Sequence, residues 1–205
     1  MRRPRVVVSL LAALILSAIV AGCDAPADPG VDYSKLGVAV PSPSGSYAKP
    51  EPKGKPPGKN ASPTDQILYD LQQRVVRTAG VSDETKAACE GGVITGTVDQ
   101  TVGCTVTYRG LTVKYRVEIT GGSPTFSWVA TTDKSVLAAE GVALAYWVKF
   151  GANATAVRCD KMPAATLVAL GKDTDFRCYH KTGDSWRQDA VLLKDGGIEF
   201  TEVSG

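Results

Sequence analysis

The segment GLTVKYRVEITGG, residues 110–122, decides the fold class of this chain. Between its flanking glycines, apolar side chains at every second position from Val113 to Ile119 alternate with charged ones. Such alternation places the apolar side chains on one face of a strand and is typical of an antiparallel sheet with one buried face. GCTVTYRG (residues 103–110) and PTFSWVAT (residues 124–131) alternate likewise, so the sequence predicts consecutive antiparallel strands.

A helix is predicted ahead of these strands. The sequence SPTD at residues 62–65 offers a capping serine, a proline at the first helical position and a carboxylate near the helix start. An apolar stripe at helical spacing follows, made of Ile67, Leu68, Leu71, Val75 and Val76. Gly80 is a natural end for this helix.

The same order of elements then repeats. DKSVLAAEGVALAYWVKFG, residues 133–151, predicts a second helix capped by Asp133 and ended by Gly151. Its expected apolar face is made of Val136, Leu137, Leu144, Trp147 and Val148. Four strand-like segments follow: ATLVAL, DFRCYH, SWRQDAVLL and GIEFTEV.

This repetition predicts an α+β protein with two tandem small domains, residues 62–132 and 133–205. Each domain is expected to pack one helix on a roughly four-stranded antiparallel sheet and to carry one disulfide. Both copies place a second cysteine in their second strand, so the repeat pairs Cys89 with Cys104 and Cys159 with Cys178. Each such bridge contributes roughly 3 kcal/mol in the chain-entropy estimate, which suits small domains that bury little core.

The fifth cysteine, Cys23, follows a targeting segment, residues 1–22. Three arginines precede an apolar run that is too short for a comfortable membrane span. The sequence VAGC at residues 20–23 matches the pattern of bacterial lipoprotein signals. We therefore expect Cys23 to carry a lipid and to hold the mature protein on the outer side of the cytoplasmic membrane, an oxidising compartment that permits disulfides.

Residues 24–61 predict a disordered tether, because they are rich in proline, glycine, serine and lysine and poor in large apolar residues. Extended, these 38 residues reach on the order of 100 Å. The lysines of this segment favour a solvated spacer, and the alternative is that they rest on anionic lipid or wall polymer. Of the 23 basic residues, three lie in the signal, which leaves 20 against 21 acidic residues in the mature part and disfavours nucleic-acid binding.

A resemblance to a known family rests on AVRCDKMPAATLVALGKDTDFRC (residues 156–178) followed by GDSWRQDAVLLKDGGIEFTEV (residues 183–203). AACEGGVITGTVDQTVGC (residues 87–104) resembles a diverged first copy. The pattern is similar to short two-cysteine domains of unknown function in secreted and lipid-anchored actinobacterial proteins. The resemblance implies a fold and a compartment, and it implies no catalytic residues.

Candidate chemistry is sparse. His180 is the only histidine, so multi-histidine metal sites are excluded. An acid–base pair of His180 with Asp173, Asp175 or Asp184 competes with a surface or edge position for this residue. We predict no cofactor and no metal site.

Tryptophans are the other candidates for partner contact. Trp147 and Trp128 are expected in the core, since each falls on an apolar face. Trp186 follows a turn near a strand start and is expected to be the most exposed of the three. Trp186 and His180 are therefore the candidate partner-binding residues.

The sequence favours a non-enzymatic, membrane-anchored binding module for an envelope protein or wall component. The alternative is a surface-tethered inhibitor or regulator of a secreted enzyme. Secreted proteinaceous inhibitors of β-lactamase are similar in architecture, since they too have two helix-plus-sheet repeats, each with a disulfide; a fold likeness alone does not carry a function.

Overall fold

The computed structural model describes residues 32–44, 47–123 and 125–203. The signal segment 1–22, Cys23 and residues 24–31 of the predicted tether lie outside the described residues. The described part is α+β, and its strands form three antiparallel sheets. The helices are α1 (Pro63–Ala79) and α2 (Ala139–Phe150). The strands are β1 (Val38–Ala39), β2 (Thr85–Cys89), β3 (Gln100–Tyr108), β4 (Leu111–Thr120), β5 (Ser127–Thr131), β6 (Lys134–Ala138), β7 (Ala156–Cys159), β8 (Ala165–Ala169), β9 (Asp173–Thr182), β10 (Ser185–Lys194) and β11 (Gly197–Glu202).

Helix α1 is confirmed with the predicted start and end. The Ser62 side chain accepts a hydrogen bond from the Asp65 backbone N–H, Pro63 is the first helical residue, and Gly80 ends the helix with a φ of 76°. Only glycine adopts this left-handed conformation without strain, so Gly80 fixes the helix end. Four members of the predicted stripe face the core, since Ile67, Leu71, Val75 and Val76 are fully buried. The fifth, Leu68, is only partly buried and lines a groove beside the helix.

The first sheet has the order β2-β3-β4-β5 and contains the opening segment as β4. Side chains along β4 are alternately buried and exposed, as the sequence predicts. The buried face packs on α1 and forms the first core. Val106, Tyr108, Val113 and Val117 are among its fully or almost fully buried members.

The second helix begins later than predicted. Asp133 does not cap it, because residues Lys134–Ala138 form β6, which pairs antiparallel with β8 as a separate two-stranded sheet. Helix α2 starts directly after β6, and no side chain caps its N-terminus. Its buried side is formed by Gly141, Val142 and Tyr146, whereas Val148, predicted for the core face, is 54% exposed.

The second main sheet has the order β1-β7-β9-β10-β11. Its buried face packs against α2 in a second core that includes Tyr146, Val191 and Leu193. The predicted strand ATLVAL is β8, and it lies in the small sheet with β6 rather than in this one. The roughly four-stranded arrangement of the second half therefore holds for β7, β9, β10 and β11, with β8 outside it.

The two cores meet at β6 and at the helix ends. Val136 and Ala138 belong to the first core, whereas Leu137 between them belongs to the second. The buried hydroxyls of Thr78 on α1 and Ser135 on β6 lie 2.7 Å apart and share a hydrogen bond. Strand β6 therefore belongs to both cores and joins them.

Both predicted disulfides are present, Cys89–Cys104 and Cys159–Cys178. Each joins residues that face each other directly, across β2 and β3 in one sheet and across β7 and β9 in the other. The residue after the first cysteine donates its backbone N–H in the same way in both halves: Glu90 to Gly103 and Asp160 to Arg177, each at 2.8 Å. The two halves thus share a local geometry around each disulfide.

Residues 32–44 and 47–61, here called the strap, differ from the expectation of a disordered tether. The strap begins with a short 3-10 helix, Tyr33–Lys35, and its strand β1 pairs antiparallel with β7. Pro50 and Pro52 are buried further along. The Glu51 backbone N–H donates to Ser82 Oγ at 2.9 Å. These contacts rest mainly on backbone groups, which composition does not reveal.

Candidate functional site

The predicted partner-binding residue His180 is buried rather than at a surface or edge, with 7% of its area exposed. Its neighbours are Tyr146 from α2 and Asp189 from β10, and we call these three residues the polar cluster. The Tyr146 hydroxyl lies 2.6 Å from Asp189 Oδ2 and 2.8 Å from His180 Nδ1. His180 Nδ1 lies 3.3 Å from Asp189 Oδ2. The partner of His180 is therefore Asp189, and none of Asp173, Asp175 and Asp184 takes that place.

The hydrogen bonds of the polar cluster assign its protons. Tyr146 has one hydroxyl proton, which it donates to Asp189. The Tyr146 oxygen is then an acceptor, so His180 Nδ1 carries a proton and donates to it. Burial lowers the pKa of His180, and the Asp189 carboxylate opposes that change. Burial and the hydrogen bond to Asp189 raise the pKa of Tyr146.

Aromatic rings enclose the polar cluster. The Phe150 ring stacks on the His180 ring at 4.3 Å between centroids. Phe200 meets the Tyr146 ring edge to face at 4.8 Å. The cluster therefore connects α2 to the second main sheet through hydrogen bonds inside an apolar surround, where such bonds are strong and their loss is costly. This arrangement gives it a structural role in holding α2 in place.

The predicted exposed residue Trp186 is only partly exposed, because the strap covers it. The Tyr33 ring stacks on Trp186 at 6.3 Å and meets Tyr179 edge to face at 6.1 Å. Trp128 and Trp147 are partly buried and pack against the first and second core respectively, close to the expectation for both. Trp186 is thus a contact for the chain's own N-terminal segment.

The outer edge of β7 is the surface on which the strap lies. Arg158 donates to the Leu36 carbonyl, and its guanidinium also donates to the Gly37 carbonyl at 3.0 Å. The Val40 backbone N–H donates to the Val157 carbonyl at 2.9 Å. The extended strap is therefore held on β7 by main-chain pairing and by a cation that binds two successive carbonyl groups.

A side chain of α2 completes this surface. Trp147 Nε1 donates to the Val40 carbonyl at 2.9 Å, so the strap lies beside both the strand edge and the helix. Gly37 makes this close approach possible, since it has a φ of 57° and a Cβ there would lie 2.2 Å from the Cys159 carbonyl oxygen. No sequence motif marked these residues, although the i, i+2 spacing of Cys178 and His180 on one strand face could have placed His180 inside.

Two further grooves adjoin the strap. One, of about 290 Å³, lies between Tyr47 and Lys49 of the strap and Ile198 and Glu199 of β11. The second, of about 430 Å³, lies between the strap, α1 and Ala87 of β2. Across residues 32–44, 47–123 and 125–203, no three His, Cys, Asp or Glu residues are grouped as metal ligands would be.

Neither described helix is long and apolar enough to cross a membrane. No protein-family model, curated protein or solved structure matches this chain.

Proposed function

We propose that this protein is a lipid-anchored extracytoplasmic binding protein that holds another envelope component through the edges of its sheets. In this proposal Cys23 carries the lipid, residues 62–132 and 133–205 are tandem domains, and the protein has no enzymatic role. The positive charges, apolar run and small residues ahead of Cys23 support the anchor. The two disulfides support an oxidising compartment.

The observation that carries the binding role is the seat of the strap on β7. A stretch of extended polypeptide pairs there with a strand edge, and its carbonyl groups accept hydrogen bonds from Arg158 and Trp147. Addition of an extended segment to a sheet edge is a recurrent mode of peptide recognition, in which main-chain hydrogen bonds supply affinity. This favours a protein as the envelope component over a wall polymer.

The test uses the full chain, produced in a bacterial host and isolated with its membranes. Short-range chemical cross-linking followed by affinity purification should recover one envelope protein in constant ratio, and purified wall should not sediment the protein. If the protein instead sediments with purified wall and no envelope protein is recovered, the partner is a wall polymer and not a protein. Recovery of neither would contradict the binding role, and inhibition of one member of a panel of secreted hydrolases would favour the inhibitor alternative.

The anchor has a separate test. Cys23→Ala should release the protein from the membrane fraction, while Cys89→Ala together with Cys104→Ala should leave it there. If the Cys23→Ala chain stays with the membranes, Cys23 does not carry the anchor.

A further inference from the structure

We propose that the outer edge of β2, together with the groove beside α1, is the site where an extended acidic segment of a partner protein binds as an added antiparallel strand. This inference rests on the proposed function, because it names the edge that the envelope partner uses. The β7 edge is already filled by the strap, whereas β2 is one of the two outermost strands of its sheet.

The outer edges of β2 and β7 have the same backbone hydrogen-bonding pattern relative to their disulfides. Cys89 faces Cys104 and Cys159 faces Cys178, and the backbone N–H after the first cysteine of each pair donates across the ladder. Antiparallel ladders alternate between hydrogen-bonded and non-hydrogen-bonded pairs. Val157 and Ala87, each two residues before its cysteine, therefore belong to non-hydrogen-bonded pairs and direct their backbone N–H and C=O groups away from the sheet.

The two edges differ in whether these outward backbone groups have hydrogen-bond partners. The Val157 carbonyl accepts from Val40 of the strap at 2.9 Å. Neither backbone group of Ala87 has a hydrogen-bond partner in the part of the chain that the structure describes. Its neighbours along the edge are occupied, since the Thr85 carbonyl accepts from Gln72 Nε2 at 3.2 Å and the Cys89 carbonyl accepts from the Gly92 N–H at 3.1 Å. Ala87 is thus an open position of this edge, and it is equivalent in the ladder to Val157, which the strap fills on β7.

The space beside Ala87 has room for an extended segment. A groove of about 430 Å³ runs between α1 and the strap, with Leu68, Tyr69 and Gln72 on the helix side and Pro57 and Gly58 on the strap side. The β7 edge likewise has a helix beside it, from which Trp147 reaches the bound strand. Leu68 and Tyr69 offer an apolar contact for one side chain of the occupant.

Charge favours an acidic occupant. Lys55 and Asp65 are the charged residues that line the groove. The Asp65 carboxylate accepts from the Ser62 hydroxyl at 2.7 Å. Lys55 has no ion-pair partner among the described residues. Glu84 and Glu90 flank the two ends of β2, so a carboxylate of the occupant is best accommodated at the Lys55 side of the groove.

The probe for this site is a synthetic peptide, DDGVAVPS. It has the sequence of residues 35–42 of the strap with Lys35→Asp and Leu36→Asp, which adds carboxylates to a segment that pairs with a strand edge. It is titrated into the isotope-labelled full chain in detergent micelles, and backbone amides are followed by nuclear magnetic resonance. We expect saturable shifts centred on Ala87 and at least tenfold slower hydrogen exchange of its amide. Shifts centred on β5 or on β7, or none, would overturn the proposal.

Two matched pairs of variants test the contacts. Ala87→Pro removes the outward N–H, and proline is tolerated on edge strands where that group faces away from the ladder; Ala87→Ser keeps the N–H. We expect at least tenfold weaker peptide binding by the first and less than twofold change in the second. Lys55→Glu should weaken binding at least threefold, whereas Lys49→Glu, in the other groove, should not. Equal binding by Ala87→Pro and Ala87→Ser, both with native melting curves, would overturn the proposal, and if Ala87→Pro does not fold, the lysine pair decides in its place.

The same variants separate this inference from the proposed function. If cross-linking recovers an envelope protein equally with the full chain and with Ala87→Pro, the binding role stands and the β2 site is wrong. If the peptide binds at Ala87 while the full chain recovers neither an envelope protein nor wall, the β2 site stands and the proposed function is wrong.

Discussion

The two main sheets of this protein carry a disulfide at the same place, between an outer strand and its neighbour, but they are stabilised by different means. In the first half a capped helix, α1, lies on an apolar core, and the outer edge of β2 is open. In the second half α2 has no side-chain cap, its core contains the polar cluster, and the strap covers the edge of β7. The comparison teaches that two sheets with the same disulfide position can differ in helix capping, core polarity and edge protection.

The largest expected effect comes from the feature that the halves share. Replacing either disulfide with two alanines, Cys89→Ala with Cys104→Ala or Cys159→Ala with Cys178→Ala, should lower the free energy of unfolding by about 3 kcal/mol. The sequence separations of 15 and 19 residues are close, so the two losses should be similar. Urea unfolding of the purified full chain measures both. If only one of the two double substitutions lowered the free energy of unfolding, the disulfide removed by the other would not stabilise the fold.

A smaller loss of stability should distinguish the second core, which contains the polar cluster, from the first. Tyr146→Phe leaves the buried Asp189 carboxylate without its closest donor and should cost about 2 kcal/mol. Tyr108→Phe is the matched control, because this equally buried tyrosine donates only to the neutral Val81 carbonyl at 3.1 Å and should cost about 1 kcal/mol. Thermal and urea unfolding compare the two variants. Equal costs would mean that the charge of Asp189 adds nothing to the second core.

The next smaller loss of stability should come from a substitution in the strap. Gly37→Ala should loosen the strap, because alanine is strained at a φ of 57° and its Cβ would meet the Cys159 carbonyl oxygen. We expect a loss of about 1 kcal/mol and faster hydrogen exchange at the Val40 amide. Gly58→Ala is the control within the strap, since no atom lies within 4 Å of its added Cβ. Similar exchange rates at Val40 in both variants would contradict the proposed seat of the strap.

The smallest expected effect depends on pH. Burial lowers the pKa of His180 below its ordinary value, against the raising influence of Asp189 and Glu202 and with a further lowering by Arg187. The unfolded chain therefore binds more protons than the folded chain at and below about pH 6.5. The free energy of unfolding should fall as the pH falls from 7.5 to 5.5.

His180→Gln should flatten this dependence, because glutamine does not titrate. Urea unfolding at several pH values compares the slopes of the two chains. The range stays above the pKa of ordinary carboxylates, so their protonation contributes little. A steeper slope in the variant would contradict the direction assigned to His180.

Much of the fold follows from the sequence because its signals are local. The alternation in β4, the cap at Ser62 and the glycine at position 80 are each defined by a few neighbouring residues. Strand β6 was missed because its pattern suits a helix start, and only its pairing with the distant β8 makes it a strand. Order in the strap was missed because it depends on carbonyl groups that every residue carries.

The candidate site was harder to predict for a related reason. His180 and Asp189 lie on neighbouring strands, and their contact depends on the register between β9 and β10 and on Tyr146 from α2. Trp186 looked exposed because its partner, Tyr33, lies more than 150 positions earlier in a segment of low hydrophobicity. The open edge at Ala87 carries no sequence signal at all, since it is defined by unoccupied backbone groups.

The docking of the strap has a consequence for where a partner can be met. Since the chain is packed on the folded body from Asp32 onward, only residues 24–31 separate Cys23 from that body. Eight residues span at most about 29 Å. With the lipid on Cys23, the protein would search a thin layer directly above the bilayer, in which the effective concentration of a membrane-bound partner is raised and anything embedded deeper in the wall is out of range.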